Sequence, residues 1–139
     1  MTGNGYTQVR SLMRPSPGMI DGLATVQQAL DRMRRDNVGA LVIDRREEGD
    51  EYGIIVLSDI ATKVITENRA PERTNVYEVM SKPVVSVNAD MDIKYAIRLL
   101  SRFDLSRALV TQDGQLVGLV SLREMVFRYI PEKENGGES

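Results

Sequence analysis

Val9-Arg10-Ser11-Leu12-Met13 and Val76-Tyr77-Glu78-Val79-Met80 open two stretches of this chain that follow one pattern. After each come a proline, a short apolar stretch, an amphipathic run, a continuous apolar run, a turn, and a glycine followed by apolar residues. The offset that pairs Val9 with Val76 also pairs Met13 with Met80, Ala29 with Ala96, Leu30 with Ile97 and Met33 with Leu100. It shrinks by two residues at Gly53 and Gly118, because the first loop is longer. A length change confined to a loop is what a true repeat tolerates.

The local signals place elements on this pattern. Residues 9–13 form a short helical turn stopped by Pro15 and Pro17. Thr25 precedes Val26, Ala29, Leu30 and Met33 at helical spacing, and Gln28 completes a capping box with it. Asn37 and Gly39 are stop signals. Ala40-Leu41-Val42-Ile43 reads as a buried strand and residues 45–52 as an acidic loop around Gly49. Gly53-Ile54-Ile55-Val56-Leu57 is a second strand, and Ser58 or Asp59 can cap a helix running to about Thr66. In the second copy residues 84–87 are extended, and Asp92 caps a helix with Ile93, Ala96, Ile97 and Leu100 on one face. Ala108-Leu109-Val110 and residues 116–120 are strands joined by a hairpin turn at Asp113-Gly114, and residues 123–129 are helical before Pro131.

The expected organisation is therefore a flexible lead (1–8), a first repeat (9–65), a polar linker containing Pro71 (66–75), a second repeat (76–130) and a disordered tail (131–139). The fold class is α+β, two β-α-β-β-α repeats with pseudo-twofold symmetry. Neither repeat can cover both faces of a three-stranded sheet, so the two are expected to pack sheet to sheet.

Composition narrows the function. The chain has 139 residues, 42% hydrophobic and 27% charged, with net charge -2, which argues against nucleic acid as a partner. It has neither Cys nor His. Disulfides, thiolate nucleophiles, imidazole bases and most zinc chemistry are thereby excluded. No P-loop or dinucleotide glycine pattern is present, so an enzyme is not expected. No apolar run approaches the roughly 20 residues of a membrane helix, and residues 1–7 lack the regions of a signal peptide, so a cytoplasmic location is expected. Met13, Met33, Met80 and Met125 sit at apolar positions as core filler. Glu47, Glu48, Asp50 and Glu51 match no calcium loop. Arg34-Arg35 with Arg45-Arg46 lacks interleaved aromatic residues and reads as surface.

Taken together these residues resemble a tandem pair of CBS (cystathionine-β-synthase) domains, a Bateman module. The resemblance covers about residues 9–130. Carrying it are the two Val-x-x-x-Met segments, Asn37-Val38-Gly39-Ala40-Leu41-Val42-Ile43-Asp44 with its counterpart Asp104-Leu105-Ser106-Arg107-Ala108-Leu109-Val110, Gly53-Ile54-Ile55-Val56-Leu57-Ser58-Asp59-Ile60, and Gly118-Leu119-Val120-Ser121-Leu122-Arg123-Glu124-Met125. It implies a regulatory module without a catalytic cofactor, binding AMP, ADP or ATP, ahead of S-adenosylmethionine, in clefts between repeats. It also implies a disc-like homodimer and output through a separate regulated protein.

In the family motif, apolar-apolar-Thr/Ser-x-x-Asp follows the glycine. A hydroxyl at a helix start adds a donor to the free N–H groups that favour phosphate, and a carboxylate accepts from a ribose diol. Neither copy keeps both. The first has Val56 at the hydroxyl position but retains Asp59, with Ser58 beside it. The second has Ser121 but Glu124 for the aspartate, with Arg123 alongside, and Arg107 before the strand where the first copy has Ala40. Val120, Val85 and Ile20 are the apolar strand residues expected to flank a base. The resemblance thus implies at most one good nucleotide site, built mainly on the second repeat. The alternative is a ligand-free dimerisation or interaction module with degraded sites.

Overall fold

The structure, a computed structural model, describes residues 6–47, 49–81 and 85–133. The expectations for residues 1–5, Glu48, Val84 and residues 134–139 lie outside the described residues. In chain order the elements are β1 (Arg14–Pro15), β2 (Met19–Ile20), α1 (Val26–Asp36), β3 (Ala40–Ile43), β4 (Gly53–Val56), α2 (Leu57–Ile60), β5 (Ser86–Asn88), α3 (Ile93–Arg102), β6 (Arg107–Gln112), β7 (Gln115–Ser121) and α4 (Leu122–Tyr129). Short 3₁₀ turns occupy Val9–Ser11, Pro71–Arg73 and Val76–Glu78, and α2 continues as a π-helical turn over Ala61–Ile65. The architecture is mixed α+β with two sheets, ordered β1-β7-β6-β5 and β2-β3-β4. Among the described residues no helix is long and apolar enough to cross a membrane.

The chain forms two units, one running from Pro17 to Val84, the other joining the segment up to Ser16 to everything from Val85 onward. The spatial units therefore differ from the sequence repeats by an exchange of lead segments. Val9, from the first copy, is fully buried in a cluster with Val87, Ile93, Leu100, Val120 and Met125. Val76 and Val79, from the second copy, are fully buried with Val26, Leu41, Ile55, Ile60 and Val64. A lone 3₁₀ turn cannot hide its own apolar side, so each one is stable only when docked on a sheet-and-helix layer.

In the unit spanning residues 17–81, β2 runs parallel to β3 and β3 antiparallel to β4, with Ala40 opposite Val56 and Ile43 opposite Gly53. All four β3 residues are buried. Thr25 and Gln28 form the expected capping box, and Asn37 ends α1 in the left-handed conformation with φ 55°. The end of the polar linker is structural: the Thr74 carbonyl accepts from Val26 N–H at 2.8 Å, and Asn75 Nδ2 donates to the Leu23 carbonyl at 2.8 Å. Leu57 begins α2 rather than ending β4, and the N-cap is Val56 with no side-chain hydrogen bond. Ser58 and Asp59 therefore do not cap. The strand turns straight into the helix, and the Gly39 carbonyl, 3.1 Å away, satisfies Leu57 N–H without a hydroxyl.

In the other unit, β5 runs parallel to β6, and β6 antiparallel to β7. Asp113 and Gly114, both at positive φ (53° and 78°), make the two-residue hairpin the Asp-Gly signal predicts. Asp92 caps α3, accepting from Lys94 N–H at 3.2 Å. Arg14 and Pro15 add a short antiparallel edge to β7, which the sequence pattern does not announce. Thr7, placed by sequence in the flexible lead, accepts from Ile93 N–H at 2.9 Å through its carbonyl, and Gln8 bridges to Asp92.

Candidate functional site

Arg107 and Ser121 are cross-strand partners at the end of β6 and β7 where the chain enters α4. Ser121 is the N-cap: its Oγ accepts from Glu124 N–H at 3.2 Å, which leaves the hydroxyl proton free to donate. The Ser106 carbonyl accepts from Leu122 N–H at 2.8 Å, so the loop before β6 is fastened to the start of α4. Val85 comes to the same end of the sheet, its carbonyl accepting from Leu109 N–H at 2.9 Å. Val120 is buried, while Ser121 and Arg107 are half-buried.

These four residues therefore come to one end of the sheet, with a helix N-terminus beside them. Such an end offers unpaired N–H groups and a positive dipole. Arg107 contributes a guanidinium that can form paired bonds to an oxyanion. Arg123 and Glu124 belong to the same first turn and are exposed. The Arg123 guanidinium lies 4.9 Å from the Phe127 ring centre, a cation–π contact one turn along the helix.

The first-repeat residues are arranged differently. Asp59 is 18% exposed and its Oδ1 is 3.8 Å from Lys63 Nζ, which also donates to the Val79 carbonyl at 3.2 Å. Its carboxylate is thus partly engaged within its own helix. The Ser58 side chain is exposed, and its carbonyl accepts from Thr62 Oγ1 at 2.9 Å. Ile20 pairs with Ile43 at the Gly53 end of the sheet, whereas Asp59 follows Val56 at the Ala40 end. Within this unit the fold therefore separates Ile20 from Ser58 and Asp59.

The paired arginines of the basic patch have structural roles. Arg34 and Arg35 contact Asp31 and Asp36, and Arg45 lies 4.8 Å over the Tyr52 ring. The bond from Arg35, helped by Arg32, holds the Asp36 carboxyl below its ordinary pKa. Met33 and Met125 are fully core residues, and Met13 and Met80 are partly buried against the two core clusters, where they also lie over Gly118 and Gly53.

Comparison with known proteins bears on the fold. The family model of the CBS domain matches residues 9–66 and again 76–130. The CBS domain-containing protein YhcV of Bacillus subtilis is 28% identical over 130 residues, covering 94% of this chain and 91% of that protein. An uncharacterized protein of Methanopyrus kandleri, MK0525, is 29% identical over 96 residues, and the match covers 48% of its length. Among solved structures, the hexameric CBS-CP12 protein from bloom-forming cyanobacteria shares 32% identity at a TM-score of 0.84, covering 93% of this chain and 77% of that one. The CBS domain of the bacterial CNNM/CorC family Mg2+ transporter, solved with ATP, shares the fold at a TM-score of 0.73 and 24% identity, covering 91% of this chain and 89% of that one.

Proposed function

This chain belongs to the CBS-domain family, and from that premise we propose that it is a regulatory module that binds an adenosine nucleotide and signals the bound state to a partner protein. The observation that carries the reading is the Arg107–Ser121 pair at the start of α4. There a phosphate would meet a guanidinium, a hydroxyl donor and a helix N-terminus together. Val120 is buried in the core and offers no surface to a ligand, so Val85 is left to supply the apolar contact for the base, and Glu124 the ribose acceptor. Val56 offers no hydroxyl and Asp59 is drawn toward Lys63, which supports one nucleotide per chain rather than two. A fold that holds ATP in the transporter domain is compatible with this chemistry.

The test is a thermal-shift series with AMP, ADP, ATP and S-adenosylmethionine. A ligand at about a hundred times its Kd stabilises by about 2.7 kcal/mol, so binding must raise Tm. The absence of any rise at millimolar concentration would defeat the proposal.

A second reading, a ligand-free association module, draws on a different observation. In the unit holding α3 and α4, Tyr95, Phe103, Phe127 and Ile130 are 54%, 55%, 60% and 71% exposed. Exposed apolar groups of that size suit self-association, and the CBS-CP12 protein is hexameric. On this reading light scattering gives an oligomer that nucleotide leaves unchanged and that Phe127→Glu dissociates.

A further inference from the structure

Asp44, Arg46, Asp50 and Glu51, from the loop between β3 and β4, line one side of a cavity. In the other unit the corresponding two strands are joined by two residues, Asp113 and Gly114. Here the longer loop folds back on itself: Asp50 Oδ1 accepts from Glu51 N–H at 2.8 Å, Asp50 N–H donates to the Glu47 carbonyl at 3.0 Å, and Arg45 is stacked on Tyr52. Joining the strands does not require this length, since two residues do it elsewhere.

The cavity measures about 310 Å³, at the lower end of small-molecule sites, which run from about 300 Å³ upward. Its apolar side consists of Ile43, Met80, Leu23 and Tyr77, with Gly22 and Gly53 also in the lining. Leu23 and Tyr77 are 58% and 51% exposed, apolar surface that an occupant would cover. Among the described residues its polar side carries three carboxylates, Asp44, Asp50 and Glu51, against one guanidinium, that of Arg46. Asp44 is positioned by its main chain, whose N–H donates to the Ile20 carbonyl at 3.0 Å. Among the described residues no hydrogen bond or ion pair engages the Asp44 carboxylate.

We propose that this cavity is a binding site for a small molecule bearing an ammonium group on an apolar body. The excess of carboxylates selects a cation and disfavours phosphates. The exposed Tyr77 ring adds a face that attracts cations, and the apolar side receives a hydrocarbon body. Among the described residues no three acidic groups converge as a metal-ligand set would, which favours an organic cation over a metal ion. The site lies at the Ile43–Gly53 end of its sheet, and none of its lining residues belongs to the nucleotide reading. A free amine and an α-amino acid share the ammonium group; the second would also place a carboxylate for Arg46.

The experiment is calorimetry on the full chain with phenethylamine, L-phenylalanine and 3-phenylpropanoate. Binding of an ammonium compound at about 10 mM or below, with no binding of 3-phenylpropanoate, is expected. Tighter phenylalanine than phenethylamine identifies the amino acid as the class; the reverse identifies the free amine. Asp44→Asn should weaken binding by about fivefold or more. Leu23→Lys, at an exposed position, should abolish it with the circular dichroism spectrum unchanged. Ser121→Ala should leave it unaltered, so this site and the nucleotide reading fail independently. The proposal is overturned by silence from both ammonium compounds, by equal binding of 3-phenylpropanoate, or by indifference to Asp44→Asn.

Discussion

Met13 lies directly across Gly118. A methyl group on that glycine would stand 2.6 Å from the Met13 sulfur and 3.0 Å from the Arg14 carbonyl oxygen. Met80 and Gly53 repeat the relationship in the other unit, with the sulfur at 2.7 Å and the Ser81 carbonyl oxygen at 3.4 Å. A thioether can swing aside, whereas a paired backbone cannot. Gly118→Ala should therefore destabilise by about 1–3 kcal/mol and Gly53→Ala by less. Urea unfolding measures both. Adding Met13→Ala should recover part of the Gly118→Ala loss, and strict additivity of the two would show that sulfur and glycine do not meet.

The exchanged lead segments make a second expectation. Val9 is fully buried among residues of the later half. Val9→Ala removes apolar surface worth about 2 kcal/mol. Hydrogen exchange should then rise in α3, β6 and β7, with little change in α1 and β3. Val76→Ala should produce the opposite map. Equal loosening of both units by either variant would contradict the assignment.

Ser121 holds two proposed roles that substitution can separate. Ser121→Ala removes the cap and should cost about 1 kcal/mol of stability along with nucleotide affinity. Ser121→Asp keeps a capping acceptor but sets a negative charge where phosphate would bind. Its stability should stay within about 0.5 kcal/mol of the parent while affinity falls by about tenfold or more. Arg107→Ala should lower affinity by about one to two orders of magnitude, as loss of a charge-assisted bond implies. Unchanged affinity in both would leave Ser121 as a cap alone.

Glu78 makes part of the fold acid-sensitive. It accepts from Asn75 N–H at 2.9 Å and from Arg69, and these bonds, the first the larger, hold its carboxyl below the ordinary glutamate pKa. A lowered pKa in the folded state means that the unfolded chain binds the proton first. The contribution is complete above the ordinary value, about 4.3, and is lost as pH falls from there through the folded value. Glu78→Gln should flatten this acid limb in denaturation curves taken between neutral and acid pH. An identical limb in the variant would mean that other carboxylates dominate.

Most of the elements were legible because their signals are local. Thr25 with Gln28, Asn37, Asp92 and Asp113-Gly114 each act within four residues, and each is found doing what its spacing implies. The α2 start misled because Ser58 and Asp59 look like caps, while the Gly39 carbonyl, distant in sequence, already satisfies the first N–H. Of the site residues, Arg107, Ser121, Val85 and Val120 come together at one sheet end. Ile20 and Asp59 fall at opposite ends of theirs, since strand polarity sets which end of a strand a residue occupies. The two-residue offset change between copies was visible as a longer loop. That this loop lines a cavity with Leu23, Tyr77 and Met80 was not, because those side chains arrive from distant segments.

By itself the sequence determined the duplication, the order of elements in each copy, the family and the exclusion of histidine and cysteine chemistry, because periodicity, caps and composition are properties of neighbouring residues. Only the tertiary structure decided that each Val-x-x-x-Met turn serves the opposite half. Both turns are apolar on one side and fit either core by composition. What selects the partner is the backbone path: Arg14 and Pro15 pair with Leu119 and Gly118, and Ser81 with Ile54, so that each methionine is delivered onto a glycine that lacks a side chain to meet it.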